Sequence, residues 1–125
     1  LDACRQCGRP NAMLGVMPET APTGTHPTIL LDCDPGHDDA IAIVVAARHT
    51  RLVGITTVAG NAPLNSTTHN ALVMRDLLGV DVPLHSGAAG PLVGAPKFAG
   101  HAHGESGLHG SALPAPPTPP DGPAA

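Results

Sequence analysis

Asp32, Asp34, Asp38 and Asp39 put four carboxylates into eight residues, within the run Asp32-Cys33-Asp34-Pro35-Gly36-His37-Asp38-Asp39-Ala40. Pro35 and Gly36 stand between the two acidic pairs and force a turn. Carboxylates are rarely buried without a counter-charge, and Asp32 and Asp34 follow an apolar run whose end should be buried. With only His37 for company, the acids call for a positive partner, of which a metal ion is the simplest. Hard oxygen donors suit calcium or magnesium better than zinc or copper. Such an ion acidifies a bound water, and a carboxylate within hydrogen-bond reach can take its proton. The alternative is a solvated acidic turn with two carboxylates capping a helix, which leaves a buried strand end unexplained.

The elements that must position these acids follow from pattern. Thr28-Ile29-Leu30-Leu31, after Pro27, is a short continuous apolar run of the kind that forms a strand covered on both faces. Residues Asp38 to about His49 suit a helix, with acids at its positive end and Arg48 and His49 at its negative end. Its nearly continuous apolar stretch predicts that it is largely buried. Leu52 to Val58 is the clearest strand, rich in β-branched residues and closed by Gly60-Asn61. A second helix runs from Leu64 or Asn65 to Leu78, with Met74 and Leu77 read as core and Gly79 as its C-terminal cap. Val82 to His85 is a weaker third strand. Strand, helix, strand, helix, strand with short loops defines an α/β fold, a Rossmann-like open parallel sheet built by right-handed crossovers. Ligands of such sheets gather at the carboxyl ends of the strands. There the acidic turn, Gly60-Asn61 and the segment Gly100-His101-Ala102-His103-Gly104-Glu105-Ser106-Gly107 converge.

Composition bounds the rest. The 125 residues suffice for one domain, yet 15 glycines, 15 prolines, no Trp or Tyr and the single Phe98 leave a core of Leu, Val, Ile and Ala. A formal charge of −4 and six dispersed basic residues give no footprint for nucleic acid or an anionic membrane. No apolar run approaches the roughly 18 residues of a membrane span, and the N-terminus lacks the order of a signal peptide. Three cysteines, an odd number, favour a reducing cytosol and a cytoplasmic location. Cys4-x-x-Cys7 is half of a zinc ribbon with no second pair. Three regions emerge: an irregular N-terminal segment over 1–26, a foldable domain over 27–110, and a proline-rich tail over 111–125. Both termini are expected to be disordered, the tail extended and unpacked. The chain opens on Leu1 rather than Met, as a piece of a longer product would.

The stretch Ile29 to Ile43, containing Asp32-Cys33-Asp34-Pro35-Gly36-His37-Asp38-Asp39, resembles the N-terminal signature of the nucleoside hydrolases, the inosine-uridine-preferring family. Ile55-Thr56-Thr57-Val58-Ala59-Gly60-Asn61, Thr68-His69-Asn70-Ala71 and Gly100 to Leu108 resemble further family blocks in the same order. The resemblance implies a calcium-dependent hydrolase that cleaves the N-glycosidic bond of ribonucleosides to ribose and free base. It implies Asp34 and Asp39 as calcium ligands and Asp34 as the base that deprotonates the attacking water. Asp38 and Asn61 would hold ribose hydroxyls, His103 would lie near the nucleobase or leaving group, and Asp32 would support the turn. Family members are commonly homodimers or homotetramers. They are also about two and a half times as long, and their later parts supply a further calcium ligand, ribose-gripping Asn and Glu residues and a His-Asp pair. The sequence therefore reads as an N-terminal fragment of the family, and the competing reading is an inactive remnant that binds a divalent cation weakly.

Smaller signals are weighed beside this one. His101, His103 and His109 with Glu105 could form a zinc cluster, but a glycine-rich family loop explains them better. His37 fills the variable place in the acidic turn, and Thr56 and Thr57 read simply as strand residues. Asp-x-Asp after a first strand also occurs in haloacid-dehalogenase-type phosphatases. The second acidic pair after Pro-Gly argues against phosphoryl transfer.

Overall fold

A computed structural model of the chain describes residues 26–110, 113–116 and 119–122. The expectations for the segment before His26, including Cys4 and Cys7, lie outside the described residues. Strands β1 (Thr28–Cys33), β2 (Arg51–Thr57) and β3 (Leu84–Ser86) alternate with helices α1 (His37–His49) and α2 (Leu64–Leu78), and a short α3 (Gly100–His103) follows. The sheet is parallel, in the order β1-β2-β3. This is the α/β architecture the residue pattern predicts.

Local chemistry explains the boundaries. Pro35 and Gly36 end β1, and Asp38 and Asp39 occupy the first turn of α1 while Arg48 and His49 occupy its last, so both ends complement the helix dipole. Gly79 closes α2 in the left-handed region (φ 64°), donating its N–H to the carbonyls of Arg75 and Asp76, a conformation a Cβ would disfavour.

The two helices pack on each other as well as on the sheet, so both cover the same face. Between them lies the core: Cys33, Ile43, Ile55, Ala71, Leu72 and Leu84. The opposite face is open, and here the structure corrects the sequence reading. Strand β1 is not covered on both sides, since Leu30 is 64% exposed. Alternation follows: Ile29, Leu31 and Cys33 turn towards the helices, while Thr28, Leu30 and Asp32 turn away. Helix α1 is likewise only half-buried. Ala40, Ile43 and Ala46 face the core, whereas Ile41 and Val45 are exposed, because one partner helix and one sheet cannot enclose a whole cylinder. Leu77, expected in the core, is exposed as well, while Met74 packs against the core cluster.

The tail also departs from expectation. Rather than staying unpacked, its residues Asp121 and Gly122 lie along the outer edge of β3: Asp121 N–H donates to Leu84 O (2.9 Å) and Ser86 N–H to Gly122 O (3.1 Å). The Asp121 carboxylate accepts the Leu84 N–H at 2.8 Å and lies 3.4 Å from the Arg75 guanidinium. An unpaired strand edge is otherwise a template for another chain.

Candidate active site at the carboxyl ends of the strands

Asp34 is the first residue beyond β1, and its backbone N–H donates to Asp39 Oδ2 at 2.9 Å, closing the acidic turn on itself. The loop after β2 meets it from the side. Asn61 N–H donates to Asp34 Oδ2 at 2.6 Å, and Asn61 Nδ2 to Asp34 O at 3.1 Å. This approach needs glycine at position 60, where a Cβ would sit 2.2 Å from Asp34 Oδ2. Asp34, Asp39 and Asn61 are thereby brought together from two separate elements. Asp34 and Asp39 each accept a backbone amide at Oδ2, and their carboxyl groups lie within hydrogen-bond reach of each other.

Asp38 is exposed in the first turn of α1, beside this pair. Asp32 does not join it. Its side chain lies on the open face of the sheet, exposed rather than buried, where Oδ1 accepts the Thr56 hydroxyl at 2.5 Å and ties β1 to β2. Strand alternation alone would send residues 32 and 34 to the same side; the two part because Asp34 lies beyond the end of β1, in the turn.

The electrostatics are unbalanced. Burial, with the charges of Asp34 and Asp38 adding to it, pushes the Asp39 carboxyl above its ordinary value against the opposing hydrogen bond from the Asp34 amide. Cys33, buried at the end of β1, is pushed up to about 12 by burial and by the charges of Asp39, Asp32 and Asp34. Arg75, remote from the turn, forms ion pairs with Asp76 and Asp121. Partly buried oxygen donors with like charges and no cation beside them fit a hard divalent ion. Two carboxylates alone make an incomplete cage, and among the described residues no group of three or more His, Cys, Asp or Glu side chains is arranged to hold a metal.

The glycine-rich loop closes the other side. Ala99 N–H donates to Asn61 O at 3.1 Å, and the His37 ring donates from Nε2 to His109 O at 3.3 Å. His37, read from sequence as filling the turn, thus holds the loop. A cleft of about 640 Å³ lies between them, lined by His37, His101, Glu105, Ser106 and His109. His103 ends α3 at this cleft's segment, and the role expected of its imidazole lies outside the described side chains.

Four contributors escaped the residue-level reading. Thr57 is fully buried and shares a 2.8 Å hydrogen bond with Thr68 of α2, and the Thr67 hydroxyl donates to Val58 O at 2.9 Å, pinning the start of α2 to the end of β2. Asn70, 3% exposed, donates from Nδ2 both to Pro35 O (2.9 Å) and to Ser106 O (2.8 Å). The signals in the sequence were polarity where a helix faces the core and, for Thr68 and Asn70, their place in the Thr68-His69-Asn70-Ala71 block that resembles the family.

Comparison with known proteins agrees with this geometry. The family model described as inosine-uridine preferring nucleoside hydrolase matches residues 29–125. The pyrimidine-specific ribonucleoside hydrolase RihA of Shewanella sp. (strain ANA-3) is 50% identical over 91 residues, covering 70% of this chain and 29% of its own length. A Schizosaccharomyces pombe protein is 49% identical over 87 residues, covering 68% and 26% respectively. Among solved structures, an inosine-guanosine nucleoside hydrolase superposes with a TM-score of 0.67 at 34% identity, covering 74% of this chain and 29% of its own. The chain belongs to the inosine-uridine preferring nucleoside hydrolase family. It spans between a quarter and a third of the length of these relatives.

Proposed function

We propose that the chain carries the cation-binding and water-activating part of a calcium-dependent ribonucleoside hydrolase, which splits the N-glycosidic bond to ribose and free base. The observation that carries the reading is the junction of Asp34, Asp39 and Asn61 at the carboxyl ends of β1 and β2. Asp34 and Asp39 would hold the calcium ion through their carboxylate oxygens, the cation replacing the contact between the two side chains. When bound, the ion supplies Lewis acidity that makes water a nucleophile at neutral pH.

The residues of the chain have separate tasks. Asp34 accepts the proton as water adds to the anomeric carbon and the bond to the base nitrogen breaks. Carboxylates around the ribose favour the positive charge of an oxocarbenium-like transition state. Asp38 and Asn61 hold ribose hydroxyls, His103 serves the leaving base, and Asp32 supports the turn through Thr56. The domain proper spans 27–110. Its free, buried Cys33 supports a reducing cytosolic setting.

A second reading has its own observation. Two carboxylates, with no group of three or more ligating side chains among the described residues, favour weak divalent-cation binding without turnover. One experiment separates them: release of ribose from inosine and from uridine, with calcium and then with chelator, for the native chain and Asp34→Ala. Calcium-dependent release lost in Asp34→Ala supports hydrolysis. A calcium-induced rise in Tm without ribose supports the second reading, and neither signal overturns both.

A further inference from the structure

We infer that Asn70 is a positioning residue that couples the acidic turn to the glycine-rich loop, so that a cation at Asp34 and Asp39 orders that loop. The inference rests on the cation reading above. Asn70 lies in the middle of α2, touches neither Asp34 nor Asp39 in any hydrogen bond, and is 3% exposed. A buried side-chain amide in a helix is an expensive choice unless its N–H groups are satisfied. Here both go to carbonyl oxygens on other segments: Pro35 O, in the turn between the two acidic pairs, at 2.9 Å, and Ser106 O, in the loop, at 2.8 Å. One rigid amide thus fixes the separation of the two segments.

The loop is shaped to receive it. Gly107 adopts φ 83°, and a Cβ there would lie 3.0 Å from both Asn70 Nδ2 and Pro35 O, so the backbone meets the amide only because the side chain is a hydrogen. Leu108 is buried directly after it, and Leu108 N–H donates to Ser106 Oγ at 3.3 Å. On the turn side, Pro35 is fully buried and is the neighbour of Asp34. Any adjustment of Asp34 and Asp39 around a cation therefore moves the carbonyl that Asn70 holds. The same amide passes that movement, or that rigidity, to Ser106 and the cleft lined by His101 and Glu105.

Amide hydrogen exchange read by mass spectrometry, with and without calcium, tests this on the native chain, Asn70→Asp and Gly107→Ala. Asn70→Asp keeps the shape and removes the donors; Gly107→Ala breaks the junction from the loop side and leaves α2 intact, so it stands alone if the first variant does not fold. In the native chain, calcium slows exchange in the 104–108 peptide. In both variants that peptide exchanges about tenfold faster or more, as losing two ordinary hydrogen bonds allows. Calcium then no longer slows it, while calorimetry still registers calcium binding and the β2 and α2 peptides keep their protection. Retained calcium-linked protection of the loop, or an equal loss across β2 and α2, overturns the coupling. If calcium changes nothing in the native chain, the cation reading fails. Asn70 is then judged on calcium-free exchange, where a loss confined to 104–108 supports its positioning role and unchanged exchange removes it.

Discussion

Asp39 concentrates the electrostatic problem of the site in one side chain. Its carboxyl is raised by burial and by the charges of Asp34 and Asp38, so without a cation its ionised form destabilises the fold. The sign is the reverse of the usual acid. With a folded-state pKa above the unfolded one, Asp39 stabilises the fold below the ordinary carboxylate range and withdraws that contribution as pH rises through its raised value. Asp39→Asn keeps an oxygen to accept the Asp34 N–H and removes the charge. Thermal melts at neutral pH in chelator should therefore show a Tm equal to or above that of the native chain. Calcium at about 100 times its Kd should stabilise the native chain by about 2.7 kcal/mol and the variant by little. A variant less stable in chelator and equally stabilised by calcium would contradict the assignment.

At the scale of elements, the site depends on how α2 is pinned to β2. The Thr57–Thr68 hydroxyl pair is buried between them, with Thr57 completely enclosed. Thr57→Val leaves the Thr68 hydroxyl without its partner and should cost about 1–3 kcal/mol in urea unfolding. Thr57→Val with Thr68→Val removes both polar groups while roughly keeping volume, and should recover much of the loss. The coupling energy from the cycle is the quantity that checks it. Additive losses would mean that the pair contributes nothing as a pair. From sequence Thr57 was an ordinary strand residue, since β-branching suffices to place it in a strand and says nothing of what its hydroxyl meets.

At the scale of the molecule, the three-stranded sheet has an open face and two edge strands, β1 and β3, and the outer edge of β3 is covered. Asp121 covers it, accepting the Leu84 N–H and approaching Arg75 while its own backbone pairs with β3. The Leu84 hydrogen bond, with Arg75 assisting, lowers its carboxyl below the ordinary value. A depressed acid contributes its stability above the unfolded pKa and loses it as pH falls through the folded one. Protection of the Leu84 and Ser86 amides should thus be complete at neutral pH and decline only below about pH 4. Asp121→Asn should lower it at every pH. Protection that is independent of both pH and this substitution would show that the tail holds the edge without its carboxylate.

The sequence by itself determined the local order of the chain and the identity of the chemistry. β-Branched runs, the Gly79 cap and the acidic helix start fixed the elements within a few residues, because these are backbone preferences and dipole effects that act over one or two turns. The Asp-x-Asp-Pro-Gly-x-Asp-Asp run marked the candidate site, because carboxylates gathered at a strand end call for a counter-charge. Only the tertiary structure decided which acids share that site. Asp34 and Asp39 meet across the turn and against Asn61, while Asp32, still within β1, stays on the open face with Thr56. It also decided that one face of the sheet stays open, since burial depends on how many layers surround a strand and not on the strand's own residues. The bond from Asn70 to residues 35 and 106 was invisible for the same reason: a hydrogen bond between distant segments leaves no periodicity in the chain that forms it.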